Sequence, residues 1–190
     1  AARAEGIDAI RGYEGSAARA YFACMQQMLA PEVDEAFRTS QRNRRPPRDR
    51  FNALLSFGYA LLHRAVLDAI LAVGLDPAIV FYHTPRSAAH PLALDLMELF
   101  RVPAWDMVVV GSLNRRQWDT REDFEVARDH VWLSESGRRK AIALFEERLQ
   151  ERWKHPVVGY SLSYGRMIEL EVRLLEKEWT GEAGLFAQAR

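Results

Sequence analysis

Residues 81–101, FYHTPRSAAHPLALDLMELFR, hold three histidine or carboxylate groups and two arginines that could act together: His83, Asp95, Glu98, Arg86 and Arg101. Leu92, Leu96, Leu99 and Phe100 recur at helical spacing. On a helix, Asp95 and Glu98 lie one above the other on nearly the same face, beside the apolar stripe. Carboxylates held close at the rim of a core repel unless a proton, a guanidinium or a divalent cation joins them. Arg86 and Arg101 offer guanidinium groups, so an ion-pair cluster is one reading. His83 adds an imidazole to the same acids, so a metal centre is the other. His90, between them, reads as a residue that lines the loop.

A second charged feature precedes this stretch. Residues 38–50, RTSQRNRRPPRDR, set Arg38, Arg42, Arg44, Arg45, Arg48 and Arg50 against Asp49 alone, a local excess of five positive charges. Pro46 and Pro47 forbid helix, so the segment is expected to be a loop. It is either a solvated surface or a phosphate site; arginine's planar fork suits phosphate oxygens better than lysine does. The whole chain carries 26 basic and 26 acidic side chains, so its positive charge is segregated, not in excess.

The elements that must position these groups read mainly as helix. Gly12 and Gly15 flank Tyr13 and Glu14 ahead of a face made by Ala17, Ala18, Tyr21, Phe22, Met25 and Leu29. In that first turn Glu14 would complement the helix dipole with no further role. Residues 51–74 form the clearest helix, with a wide apolar stripe from Leu54 to Val73 and Gly74 at its end. Asn52 reads as a cap-region residue there, and His63 as a core histidine. Pro103 is expected to break the helix that carries the two acids, and residues 104–116 to resume it. FEVARDHVWL alternates as a small hairpin, and Ser134 caps a helix running to Trp153. A last helix is expected over residues 161–179. The fold class is therefore all-α: a single α-helical domain over 1–190 with one small hairpin near 123–133.

Composition narrows the setting. At 190 residues the chain suits one domain. Cys24 is its only cysteine, so an intrachain disulfide is excluded and a reducing, cytoplasmic location is expected. No apolar run reaches the roughly 18 residues of a membrane span, and no charged-then-apolar leader opens the sequence, so no membrane partner is expected.

Three blocks resemble the CRISPR-associated adaptation integrase family (Cas one), the catalytic subunit that inserts new spacers. They are GYEGSAARAYF at 12–22, RRPPRDRFNALLSFGYALL at 44–62, and GLDPAIVFYH with LALDLMELFR at 74–83 and 92–101. Blocks of this length in register are far more specific than a short motif. The resemblance implies an α-helical catalytic domain, and the family's strand-rich N-terminal domain has no counterpart in this sequence. It implies Glu14, His83 and Glu98 as ligands of Mg²⁺ or Mn²⁺, with Asp95 as the accompanying catalytic acid. The implied reaction is transesterification, in which a DNA 3′-hydroxyl attacks a phosphodiester at the edge of a CRISPR repeat. Arg86, Tyr59 and the loop arginines Arg42, Arg44, Arg45 and Arg48 would meet DNA phosphates. Expected partners are prespacer and repeat DNA, a second copy of the chain, the small non-catalytic adaptation subunit (Cas two) and a Cas four nuclease. The alternatives are a metal-dependent endonuclease or phosphodiesterase using water, and a non-catalytic helical DNA-binding assembly module.

Overall fold

A computed structural model describes residues 7–43, 46–80, 90–155, 159–182 and 186–187. Among the described residues there are six α-helices: α1 (Ile7–Gln27), α2 (Arg50–Val73), α3 (Pro91–Met97), α4 (Met107–Asn114), α5 (Glu135–Gln150) and α6 (Tyr164–Trp179). Two short antiparallel pairs join them, β1 (Phe124–Ala127) with β2 (His130–Leu133), and β3 (Arg152–Lys154) with β4 (Ser161–Ser163). The fold is all-α in class, and the hairpin expected near 123–133 is β1–β2. Arg128, at φ 53°, makes its two-residue turn.

The chain divides into two compact units, Ala1–Ser56 with Val109–Gly137, and Phe57–Val108 with Arg138–Arg190. In the first, Phe22, Met25, Phe37, Phe51, Trp118 and Phe124 are buried. Phe22 meets Phe51 edge-on at 5.8 Å, and Phe37 meets Phe124 at 5.6 Å. Ser134 caps α5, its Oγ accepting from the Gly137 N–H at 3.1 Å. Gly137 must be glycine, because a Cβ there would stand 2.1 Å from the Asp123 carbonyl oxygen.

In the second unit the buried set includes Leu62, Val66, Ile70, Leu92, Leu96, Trp105, Phe145, Ile168 and Val172. Pro91 opens α3 at its first turn, where the missing N–H costs nothing. The helix that carries the acids ends at Met97, and helix resumes by Met107 as expected, but the proline is not itself the break. Pro103 sits inside a π-helical segment, Val102–Asp106, that runs directly into α4. Widening the turn removes the clash a proline makes in an α-helix: the Ala104 N–H still donates to the Phe100 carbonyl at 2.8 Å, and the Met107 N–H reaches Val102.

Two helix boundaries also differ from expectation. α5 ends at Gln150, and α6 starts at Tyr164 behind the cap Ser163, whose side chain accepts from the Arg166 N–H. The residues between form β3 and β4, in which Trp153 is the cross-strand partner of Leu162. α2 has the length and mean hydropathy, 1.4, of a membrane-crossing helix. Phe51, Leu54, Leu55, Leu62, Val66 and Ile70 are fully buried on it, and an exposed Arg64–Asp68 ion pair lies on its other side, which is the pattern of a core helix.

Candidate functional site

The acids of the LALDLMELFR block stand at the C-terminal end of α3. Asp95 is partly buried on its last turn, and Glu98 follows as the C-cap with an exposed side chain. The helix stripe of Leu92, Leu96 and Met97 is buried, which fixes the face that the acids flank. Arg101 joins Glu98 as the ion-pair reading anticipated: its Nη1 donates to both carboxylate oxygens, at 2.8 and 2.7 Å. Arg101 also donates from Nη2 to the Tyr59 hydroxyl at 3.1 Å, and its guanidinium carbon lies 4.4 Å from the centre of the Tyr59 ring. The Tyr59 hydroxyl in turn donates to Asp106 Oδ1 at 2.6 Å. Burial, reinforced by the Asp106 charge, pushes the Tyr59 hydroxyl well above the usual phenol range, so it stays protonated.

Asp106 is fully buried and is absent from the sequence-predicted site residues. Its one available signal was a lone carboxylate inside the apolar run AWDMVVV.

Glu98 also forms part of the wall of a cleft of about 540 Å³ that lies within the second unit. Phe100, Trp153, Tyr164, His155 and Glu171 are among its other lining residues. Trp153 is half-exposed, whereas His155 and Glu171 are buried as a pair 3.6 Å apart. A cleft of this size, mostly apolar with a few convergent polar groups, is of the kind that holds a nucleotide-sized ligand.

The remaining sequence-predicted residues are distributed as follows. Glu14 belongs to the first unit and is exposed. Because α1 begins at Ile7, Glu14 lies two turns into the helix, not in the dipole-facing first turn the sequence suggested. His83 and Arg86 lie outside the described residues, as do Arg44 and Arg45. Among the described residues, no three His, Cys, Asp or Glu side chains gather about one point. The proposed ligand set includes His83, so its geometry lies outside them too. By donor chemistry, two carboxylates and an imidazole fit Mn²⁺ or Mg²⁺.

Much of the arginine loop is built into the first unit. Arg42 donates from Nη1 to Asn52 Oδ1 at 2.7 Å and from Nη2 to Ser56 Oγ at 3.2 Å. Arg38 donates to the Ala30 carbonyl, and Arg50 to the Thr120 carbonyl. Asn52 is fully buried and is the cap-region residue the sequence suggested. Arg48 is exposed. His63 is partly exposed, its ring 5.7 Å from that of His90; burial, then the His90 charge, hold its pKa below the usual histidine range.

The fold is all-α, and it carries an acidic block at the end of α3. The model of the family "CRISPR associated protein Cas1" matches residues 1–147, and the chain belongs to that family. It is 62% identical over 179 residues to a CRISPR-associated exonuclease Cas4/endonuclease Cas1 fusion of Leptospira interrogans, covering 94% of this chain and 33% of that one. It is 58% identical to a protein of the same description from Myxococcus xanthus, covering 98% and 33%. It thus spans about a third of the length of these curated relatives.

Among solved structures, the Cas1 protein of Thermotoga maritima superposes with a TM-score of 0.83 at 30% identity, over 96% of this chain and 57% of that one. A casposase bound to integration product superposes with a TM-score of 0.78 at 28% identity, over 92% and 51%. A Cas6-RT-Cas1–Cas2 complex gives 0.77 at 27% identity, over 94% and 19%.

Proposed function

We propose that this chain is the catalytic part of a divalent-metal-dependent DNA integrase that inserts spacer DNA into a CRISPR array by 3′-hydroxyl transesterification. The observation that carries the reading is the position of Glu98, a family-block carboxylate placed at the end of α3 on the wall of the cleft. Glu14, His83 and Glu98 would hold Mn²⁺ or Mg²⁺, with Asp95 as the accompanying acid. When bound, such an ion lowers the pKa of an attacking hydroxyl and stabilises charge on the phosphoryl oxygens and the leaving oxygen.

The chain's own residues orient the DNA. The half-exposed Trp153 offers a face on which a nucleotide of the donor strand stacks within the cleft. Arg48, with Arg44, Arg45 and Arg86, neutralises backbone phosphates without reading sequence. Arg42 contributes by holding the loop, through Asn52 and Ser56.

The proteins named as relatives suggest the partners. A Cas4/Cas1 fusion places a Cas4 exonuclease on the same chain as the matching region, and a Cas1–Cas2 complex supports a Cas2-type subunit. A homodimer completes the assembly, in the cytoplasm. A casposase solved with its integration product favours joining over cutting. The word endonuclease in the relatives' names favours a second reading, in which the same ligands direct water at the phosphodiester.

Strand transfer distinguishes these. Supplied with a duplex bearing 3′-hydroxyl ends and a repeat-containing target, the intact protein yields joined products, and Glu14→Ala and Glu98→Ala each abolish them while folding is retained. Cut but unjoined target would establish the hydrolytic reading, and full joining by either variant would overturn the ligand assignment on which both readings depend.

A further inference from the structure

Asp106, Tyr59, Arg101 and Glu98 form one continuous hydrogen-bonded chain within the second unit, from a fully buried carboxylate to an exposed one. Every link fixes the next. Asp106 accepts from the Tyr59 hydroxyl, which leaves a phenol oxygen lone pair directed at Arg101 Nη2. The Tyr59 ring lies against the guanidinium, so Arg101 is held both along its plane and across its face. Its remaining arm bridges both oxygens of Glu98, and the Arg101 side chain is only 23% exposed against 43% for Glu98. The arginine is therefore the fixed partner and the glutamate the one being held.

We propose that Tyr59 and Asp106 are positioning residues for Glu98, acting through Arg101: they fix the carboxylate's rotamer and so pre-organise it for a divalent cation. The inference rests on the reading that Glu98 is a metal ligand. A glutamate on a turn otherwise samples several rotamers, and freezing it at the moment of binding lowers affinity. Holding it beforehand removes that cost. Tyr59, which sequence resemblance offered as a DNA contact, has its hydroxyl occupied on both sides by protein groups.

Calorimetric titration of the intact protein with Mn²⁺ alone tests this. Tyr59→Phe deletes one oxygen and keeps the ring, and Arg101→Lys keeps the charge and loses the fork. Each is expected to weaken Mn²⁺ binding about three- to tenfold, and the double variant little more than either. Strand transfer would then need correspondingly more Mn²⁺ for half-activation, with kcat at saturating Mn²⁺ within about twofold of the parent. Arg64→Ala, on the exposed side of the same helix, should bind as the parent does. Parental Mn²⁺ affinity in a folded Tyr59→Phe or Arg101→Lys protein overturns the inference and leaves the metal reading standing. Absence of Mn²⁺ binding by the parent overturns both.

Discussion

Gly58 lies directly against the indole of Trp105: a Cβ built on Gly58 would stand 1.9 Å from Trp105 Cε2. Trp105 is fully buried and meets Phe145 edge-on at 6.0 Å, so the ring has nowhere to retreat. The glycine of LLSFGYALL is thus a packing requirement of the second unit. Gly58→Ala should destabilise the protein by about 3 kcal/mol or more, beyond the helix-propensity gain of alanine. Urea unfolding measures it, and a variant as stable as the parent would contradict the packing described.

Asn52 is the hub that ties the arginine loop to α2. Its amide donates to Asp49 Oδ2 at 2.7 Å and to the Gln41 carbonyl at 3.0 Å, while its carbonyl oxygen accepts from Arg42 at 2.7 Å. Asn52→Ala leaves all three partners short of a bond in a buried setting, and about 3 kcal/mol of stability should be lost. Chemical denaturation of the variant checks the figure, and a loss below about 1 kcal/mol would show that the loop rearranges freely.

The pH dependence of stability has a defined sign at His63. Its folded-state pKa is lowered, so the unfolded chain binds the proton more readily. The stability contribution is fully present above the unfolded histidine pKa, about 6.5, and is lost as pH falls from there through the depressed folded value. His63→Gln should flatten this acid limb in denaturation curves taken between pH 7 and 5. A limb as steep as the parent's would assign it to other groups.

Neutralising Arg44, Arg45 and Arg48 should flatten the salt dependence of DNA binding. Each lost phosphate contact lowers the slope of log K against log salt by about 0.9. Arg48 is exposed, so its removal leaves the loop's internal bonds in place. Equilibrium binding from 50 to 300 mM salt reads the slope, and an unchanged value would make this loop a bare surface.

What the sequence made legible, and what it hid, follows from the range of the interactions. The α2 stripe, the β1–β2 hairpin and the Ser134 cap are local patterns, and they were readable as such. Trp153 and Leu162 each lie beside a good helical period, so the sequence extends the flanking helices over them. They face each other across a three-residue ladder, which is too short to show alternation and is closed by Gly159 at φ 72°. By sequence Pro103 marks the break because a proline clashes with an α-turn; the acid-bearing helix in fact ends earlier, at Met97, and sequence does not announce the π-turn that accommodates the proline. At the candidate site, Asp95, Glu98 and Arg101 were visible together because they are close in sequence. Tyr59 and Asp106 are 47 residues apart, and only tertiary structure reveals that their side chains are bonded.

Whether Glu14, His83 and Glu98 share one divalent cation is decided by crystals of the intact protein grown with Mn²⁺ and measured at the manganese absorption edge. A single anomalous peak is expected within about 2.5 Å of a donor atom from each of the three side chains. A peak bonded elsewhere, or none at millimolar Mn²⁺ with all three side chains ordered, would contradict it.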